Sequence, residues 1–255
     1  MRITTHGGLS ILNAIPLGLG STCAISLNVA VEASHGRMET PSRLVETILD
    51  HFRNETGKDF SLQISSEIPE GGGLKSSSAV ATGAIAAISE LEGIDVDVPL
   101  LAARLSLQSG LSATGALDDA TAAFYGGVSV CDNTRMKIVK RDKFPEGITF
   151  VVLPRGPREG FDPEVLRRHW PSFKAISGMV IMGDYIGAMA KNGLTVSEVL
   201  GYETAVLLRA IELGAKASGV TGNGPSLFAA VKEGDEGPIM DLFSSLGKPI
   251  IARAV

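Results

Sequence analysis

A chain of 255 residues that is 44% hydrophobic, with a mean hydropathy of +0.22, has enough apolar surface to bury a large core, which excludes a disordered chain. Its formal net charge of −5 comes with dispersed basic residues, so it carries no electrostatic footprint for nucleic acid, and any anion it handles must be held locally. Cys23 and Cys131 form neither a paired framework nor a C-x-x-C spacing, which fits a reducing compartment, argues against a zinc site and reads both as small buried apolar residues.

In chain order, residues 1–13 and 22–34 read as strands around a turn at 16–20. The apolar stretch 9–31 is interrupted by Asn13, Pro16, Gly18, Gly20 and Asn28 and follows a single n-region charge, Arg2, so it reads as strands rather than a signal peptide. No uninterrupted apolar run has bilayer-spanning length, and a soluble, cytoplasmic protein with no membrane partner is expected. Residues 41–57 form an amphipathic helix pattern, with Leu44, Ile48 and Phe52 on one face and Gly57 as the stop. Residues 60–68 alternate as a strand. Residues 76–91, rich in alanine and other small residues, predict a helix packed tightly on its neighbours. Helices are predicted over 98–109 and 118–125, a hairpin over 127–131 and 136–140, and a near-continuous apolar strand over 148–153 that closes the first half. Beyond it lie long helical patterns at 172–191 and 196–213, a glycine loop, strands at 227–232 and 249–255, and a helix near 239–246. The fold class is α+β, and the one sensible boundary falls near residues 154–160, giving lobes of 1–155 and 156–255.

The junction between the strand at 60–68 and the small-residue helix reads PEGGGLKSSSA, from Pro69 through Gly71, Gly72, Gly73, Leu74, Lys75, Ser76, Ser77 and Ser78 to Ala79. Glycine amides approach a ligand without Cβ interference, and the helix start adds unpaired N–H donors and a dipole worth roughly half a positive charge. That arrangement binds phosphate. Lys75 adds a cation, while Ser76, Ser77 and Ser78 offer an N-cap and hydroxyls able to ligate Mg²⁺ or donate to phosphate. An ordinary serine-capped loop is the competing reading of these residues taken alone. The common NTPase signature does not apply, because Leu74 stands where it needs glycine directly before lysine.

Other stretches join this one in a fixed order. Gly73-Leu74-Lys75-Ser76-Ser77, with Pro69 upstream, resembles the second motif of the GHMP small-molecule kinases, P-x-x-x-G-L-G-S-S-A. Residues 217–226, ASGVTGNGPS, look like the C-terminal motif of that superfamily, a helix–loop–strand turn packed against the phosphate loop, which makes Gly222 and Gly224 candidate nucleotide-binding residues. Asp118-Asp119-Ala120 precedes Tyr125-Gly126-Gly127 much as the catalytic aspartate of these kinases precedes its Gly-Gly strand start. GGGLKSSSA, together with His6-Gly7-Gly8-Leu9-Ser10 and Gly18-Leu19-Gly20, looks like the archaeal type of shikimate kinase within the superfamily, and the likeness spans essentially the whole chain.

The resemblance implies transfer of the γ-phosphoryl group of ATP to the 3-hydroxyl of shikimate, with Mg²⁺. It also implies a two-lobed fold, an N-terminal lobe like domain 2 of ribosomal protein S5 and a ferredoxin-like C-terminal lobe, with the site between them. On this reading Gly71, Gly72, Gly73 and Lys75 hold phosphates, Ser77 and then Ser76 ligate the metal, and Asp119 acts at the acceptor hydroxyl with Asp118 as its near rival. Carboxylates at a helix N-terminus are the plain structural reading of that acidic pair. His6, Asn13, Arg155 and Arg158 are candidates for shikimate, whose carboxylate calls for an arginine.

Departures from the superfamily pattern carry expectations of their own. Many members place a metal-binding glutamate where this chain has Gln108, which would shift ligation to Asp118 or water, and Lys75 is expected to replace a basic residue usually found near Gly8. His35, His51 and His169 carry no metal spacing, and Trp170, Met179, Met182 and Met189 read as core. Another GHMP kinase, acting on homoserine, mevalonate or a sugar, and a non-catalytic binding protein on the same fold are the alternative functions. The oligomeric state is left open.

Overall fold

The computed structural model describes residues 1–157, 160 and 162–255 and organises them around two antiparallel sheets. β1 (Arg2–Leu12) pairs along β2 (Leu19–His35), a 17-residue strand long enough to take β3 (Phe60–Ser66) along its far end and β4 (Val128–Asp132) along its near end. β5 (Lys137–Asp142) completes this five-stranded sheet as the hairpin partner of β4. Along β2 buried and more exposed residues alternate over much of its length, as a strand with one covered face requires.

α1 (Arg43–Thr56), α2 (Ser76–Glu92), α3 (Val98–Gln108) and α4 (Leu117–Tyr125) pack with this sheet and with one another. The side chain of Ser42 caps α1 by accepting the Val45 amide, and Gly57 ends it in the left-handed region at φ 72°. α2 buries Ser78, Ala79 and every residue from Ala81 to Ser89, so nearly its whole circumference is covered, as its small-residue composition predicts. Gly83 allows the close approach: a Cβ there would stand 2.7 Å from Val31 Cγ2.

The second sheet runs β7 (Ala217–Val220), β8 (Leu227–Lys232), β6 (Ile148–Leu153), β9 (Ile250–Arg253). The sequence reading assigns β6 to the first half, but it pairs with β8 and β9. Its almost unbroken apolar run suits a central strand buried on both faces. α5 (Pro163–Arg167), α6 (Trp170–Met182), α7 (Tyr185–Val199), α8 (Ala205–Glu212) and α9 (Gly237–Ser244) accompany this sheet. α7 packs against both β7 and β1, and one continuous apolar cluster spans the two sheets. Tyr185 adds a polar tie by donating to Asp142 Oδ2 at 2.7 Å, beside Lys140, whose ammonium helps to hold the Asp142 pKa down at about 2.

The long helical patterns at 172–191 and 196–213 are divided differently in the structure. Gly183 closes α6 in the left-handed region, Asp184 starts α7 by accepting the Gly187 amide, and the chain breaks again after Val199. Apolar periodicity passes through both breaks because α6 and α7 bury residues in the same core. The short helix α5 was not foreseen. Residues 217–220, expected within a helix–loop–strand motif, form a strand, so the second glycine loop joins β7 to β8. Met189 is buried, but Trp170 is 48% exposed and Met182 79% exposed, so those two are not core. Cys23 and Cys131 are fully buried, as expected. Among the described residues no helix is long and apolar enough to cross a membrane.

Candidate active site

The loop before α2 is locked to the loop between β7 and β8. Gly72 accepts the Ser226 amide at 3.1 Å, Gly73 accepts the Thr221 hydroxyl at 3.3 Å, and Leu74 accepts the Gly8 amide at 3.1 Å. Glycine at 73 is dictated twice over. Its φ is 86°, and a Cβ would lie 2.3 Å from the Thr221 carbonyl oxygen. Gly73→Ala is therefore expected to lower stability by about 1–3 kcal/mol, read as a shift in the denaturation midpoint at unchanged m-value. Thr221 also accepts the Ser10 amide at 3.1 Å, and Ser10 Oγ accepts the Gly222 amide at 3.2 Å, which ties the end of β1 into the same knot.

α2 starts without a serine cap. Its N-cap residue is Lys75, held in the left-handed region at φ 68° with no side-chain capping bond, which corrects the expected serine cap. Ala79 is the first to donate back, to the Lys75 carbonyl at 3.0 Å, so the amides of Ser76, Ser77 and Ser78 have no earlier turn to pair with. A non-glycine residue at positive φ is costly and persists where its surroundings fix it. Here it leads the lysine stem over Gly8, where a Cβ would come within 3.2 Å of Lys75 Cγ, and carries Nζ to 3.1 Å from Asp119 Oδ1. The lysine stem thus passes over Gly8 and the ammonium ends beside Asp119.

A cleft of about 590 Å³ opens in front of these groups. One wall is the phosphate-type loop and helix start, from Gly71 and Gly73 to Ser78. The others are the end of β1 at Asn13, the second glycine loop at Gly222 and Gly224, the loop 110–114, and the start of α4 with Asp118 and Asp119. Ser77 is exposed, Ser76 half-buried and Ser78 buried, so the first two present oxygen donors to the cleft. Pro69 and Gly72 do not line the cleft.

The two neighbouring aspartates occupy different surroundings. Asp119 Oδ1 accepts the Thr22 hydroxyl at 2.6 Å and the Lys75 ammonium at 3.1 Å, at the edge of the cleft. Asp118 is 4% exposed; its Oδ1 accepts the Asn133 amide at 2.8 Å, its Oδ2 lies 3.2 Å from Thr22 Oγ1, and Gly20 leaves room for its carboxyl. Burial, followed by the charge of Asp119, pushes the Asp118 pKa up to about 7, overcoming the pull of Lys75, Asn133 and Thr22. The plain reading of both as dipole-stabilised carboxylates therefore fails for Asp118. With a folded pKa above the unfolded one, this group's stabilisation is complete below about pH 4 and lost as pH rises toward 7. The melting temperature of Asp118→Asn, measured relative to the wild type, is expected to increase between pH 4.5 and 7.5.

Several expected site residues stand elsewhere. His6 is outside the cleft, with Nδ1 2.9 Å from Asn28 Oδ1. Asn13 borders the cleft, but its Nδ2 donates to Gly222 O at 3.2 Å and Asn223 Oδ1 at 2.8 Å, and its Oδ1 accepts the Ile15 amide, so it braces the loop. Arg155 does not line the cleft; its amide donates to Ser226 Oγ at 3.0 Å. Arg158 lies outside the described residues. Gln108 is exposed at the end of α3 and Ser106 lines the cleft instead, while the carboxyl oxygens of Asp118 are engaged by Asn133 and Thr22. Among the described residues no group of three or more His, Cys, Asp or Glu side chains could hold a metal, and Lys75 is the one cation lining the cleft. The sequence reading missed Thr22, Asn133 and Ser106, which reach the site only through long-range packing with no local pattern to mark them, and it covered Thr221 only as part of the second glycine loop.

Comparison with known proteins agrees with this geometry. A family model described as the GHMP kinases N terminal domain matches residues 43–127, which include the phosphate-type loop and the aspartate pair. The fold is shared with the mevalonate kinase of Methanococcus jannaschii, at a TM-score of 0.72 and 17% identity over 100% of this chain and 98% of that one. It is shared equally with a homoserine kinase from Cytophaga hutchinsonii, at a TM-score of 0.75 and 15% identity over 99% and 95%. A shikimate kinase of Thermoplasma acidophilum is 30% identical over 99% of this chain and 94% of its own length. One of Methanothrix thermoacetophila is 33% identical over 99% and 92%. The chain belongs to the GHMP kinases. Within them it belongs to the family of archaeal shikimate kinases, which it matches over almost its whole length.

Proposed function

We propose that the cleft transfers the γ-phosphoryl group of ATP to the 3-hydroxyl of shikimate, giving shikimate 3-phosphate and ADP on the way to chorismate and the aromatic amino acids. One observation carries the chemistry: the unpaired amides at the start of α2 and the carboxylate of Asp119 face one cleft, with Lys75 between them. Phosphoryl transfer needs positioning and charge neutralisation more than covalent chemistry. The amides of residues 73–78 hold the β- and γ-phosphates at the positive end of the helix. Lys75 spans the phosphate wall and Asp119, so it neutralises charge on the transferring group. Asp119 orients the acceptor hydroxyl and takes its proton.

The hydroxyls of Ser77 and Ser76 are hard oxygen donors beside the phosphate wall and fit Mg²⁺, which characteristically takes few protein ligands and completes its shell with phosphate and water. The metal supplies neutralisation of the triphosphate charge when bound. The acceptor is assigned from the full-length likeness to shikimate kinases, and the hydroxyls of Ser10, Ser106, Ser112 and Thr114 suit a polyhydroxylated ring. The buried, unpaired thiols fit a cytoplasmic setting.

A coupled ADP-release assay with shikimate, homoserine, mevalonate and a hexose tests the assignment. Shikimate is expected to lead by at least roughly 100-fold in kcat/KM, because a site built around polar groups rejects acceptors that leave them unpaired. Preference for another acceptor would keep the kinase and discard the substrate. Nucleotide binding without turnover on any acceptor would discard the enzyme.

A further inference from the structure

Thr22 Oγ1 lies between two carboxyl oxygens, 2.6 Å from Asp119 Oδ1 and 3.2 Å from Asp118 Oδ2, and a hydroxyl has a single proton to give. The shorter contact has the length of an O–H bonded to an ionised oxygen, which commits the threonine proton to Asp119. The longer contact is then a hydrogen bond only if Asp118 supplies the proton. The surroundings of Asp118 favour that state. It is buried at the start of α4 against Gly20 of β2, its Oδ1 accepts from Asn133, and its backbone carbonyl accepts the Ser129 hydroxyl at 2.6 Å.

We propose that Asp118 and Thr22 form a positioning pair behind Asp119: neutral Asp118 donates its carboxyl proton to Thr22 Oγ1, which commits the threonine proton to Asp119 Oδ1 and leaves Asp119 Oδ2 for the acceptor hydroxyl. Lys75 approaches the same Oδ1 from the other side, so the carboxylate is held at one oxygen and free at the other. The charged and titratable groups around Asp118 are Asp119 on α4, Lys75 before α2 and the buried Cys131 thiol on β4, itself pushed up to about 12 by burial. Of these Asp119 favours the neutral acid and Lys75 opposes it, while burial has the largest influence and also favours it. The pair thereby assigns different roles to two adjacent aspartates. This rests on the phosphoryl-transfer reading of the cleft.

The test separates the two levels. Thr22→Val is expected to lower kcat roughly 10- to 100-fold, the range for loss of a hydrogen bond to a charged group, with KM for ATP and shikimate within about threefold of wild type. Thr22→Ser is expected to restore kcat to within about threefold. Asp118→Ala is expected to fall as Thr22→Val does, and Asp118→Asn, a neutral side chain that can still donate, to recover at least tenfold over Asp118→Ala. Asp118→Asn as inactive as Asp119→Asn, or Thr22→Val with unaltered kcat, would overturn the pair while leaving the kinase standing.

A titration of the ¹³C-carboxyl-labelled protein needs no turnover. One aspartate signal is expected to remain protonated at pH 5.5 and to vanish in Asp118→Asn. Were every aspartate ionised at that pH, the pair would be refuted even in an active enzyme. Were the protonated signal present without turnover on any acceptor, the proton placement would stand and the kinase reading would fall.

Discussion

Asp119→Asn is expected to lower kcat by roughly 10²- to 10⁴-fold while leaving the fold and nucleotide affinity nearly intact, because it removes the base and keeps the shape. The physical reason lies in what each oxygen of Asp119 does. Oδ1 accepts from Thr22 and Lys75, which fixes the plane of the carboxylate, and no equivalent bond to Oδ2 restrains it. Asparagine can keep an acceptor facing Thr22 but has no charge for Lys75 and no capacity to take a proton at neutral pH. Steady-state kinetics with ATP binding measured separately checks this. A variant that keeps most of its kcat would mean that the acceptor hydroxyl needs no base here.

Lys75→Ala is expected to lower kcat/KM by roughly 10²- to 10³-fold and, unlike the aspartate change, to raise KM for ATP as well. The ammonium sits 3.1 Å from Asp119 in a part of the cleft where its side chain is only 12% exposed, so little water is available to take over its role. Its loss uncovers the phosphate wall and removes the charge that pulls the Asp118 pKa down, so the carboxyl of Asp118 moves further up. The left-handed backbone at residue 75 makes glycine an instructive second variant. Lys75→Gly removes the same charge without the strain of positive φ and is expected to be more stable than Lys75→Ala, with an equal loss of activity. Comparing denaturation midpoints and kinetics of the pair separates the backbone contribution from the charge. Equal midpoints would show that the loop holds its conformation without strain.

The parts of this molecule that were legible in the sequence are those written in local patterns. Residues 76–91 announced a helix buried nearly all round through their alanines, and α2 is that helix. The apolar run at 148–153 was a strand with those bounds, yet its sheet could not be read, because an apolar run says that both faces are covered and not by what. The interaction between the two glycine loops was expected, and the contacts of Gly72 and Gly73 with Ser226 and Thr221 supply its atoms.

Roles that depend on long-range register were not legible. Thr22 meets Asp119 across a sequence separation of 97 residues, and nothing in the strand around it distinguishes that threonine from Thr4 or Thr5. Asn13, a candidate for the acceptor, borders the cleft with its amide committed to the second loop, whereas the candidates His6 and Arg155, the latter at the end of the apolar strand, lie off the cleft. The serine-rich helix start looked capped. The structure instead places Lys75 at the cap and leaves three serine amides unpaired, an arrangement that costs local stability and gains a binding surface.

The most direct test of the account is a crystal structure of the protein with magnesium and a non-hydrolysable ATP analogue. The account requires the β- and γ-phosphate oxygens to lie within about 3.2 Å of amides in residues 73–78, with the γ-phosphate on the side of the cleft that holds Lys75 and Asp119. A triphosphate bound anywhere else, with the start of α2 facing only solvent or protein, would contradict it.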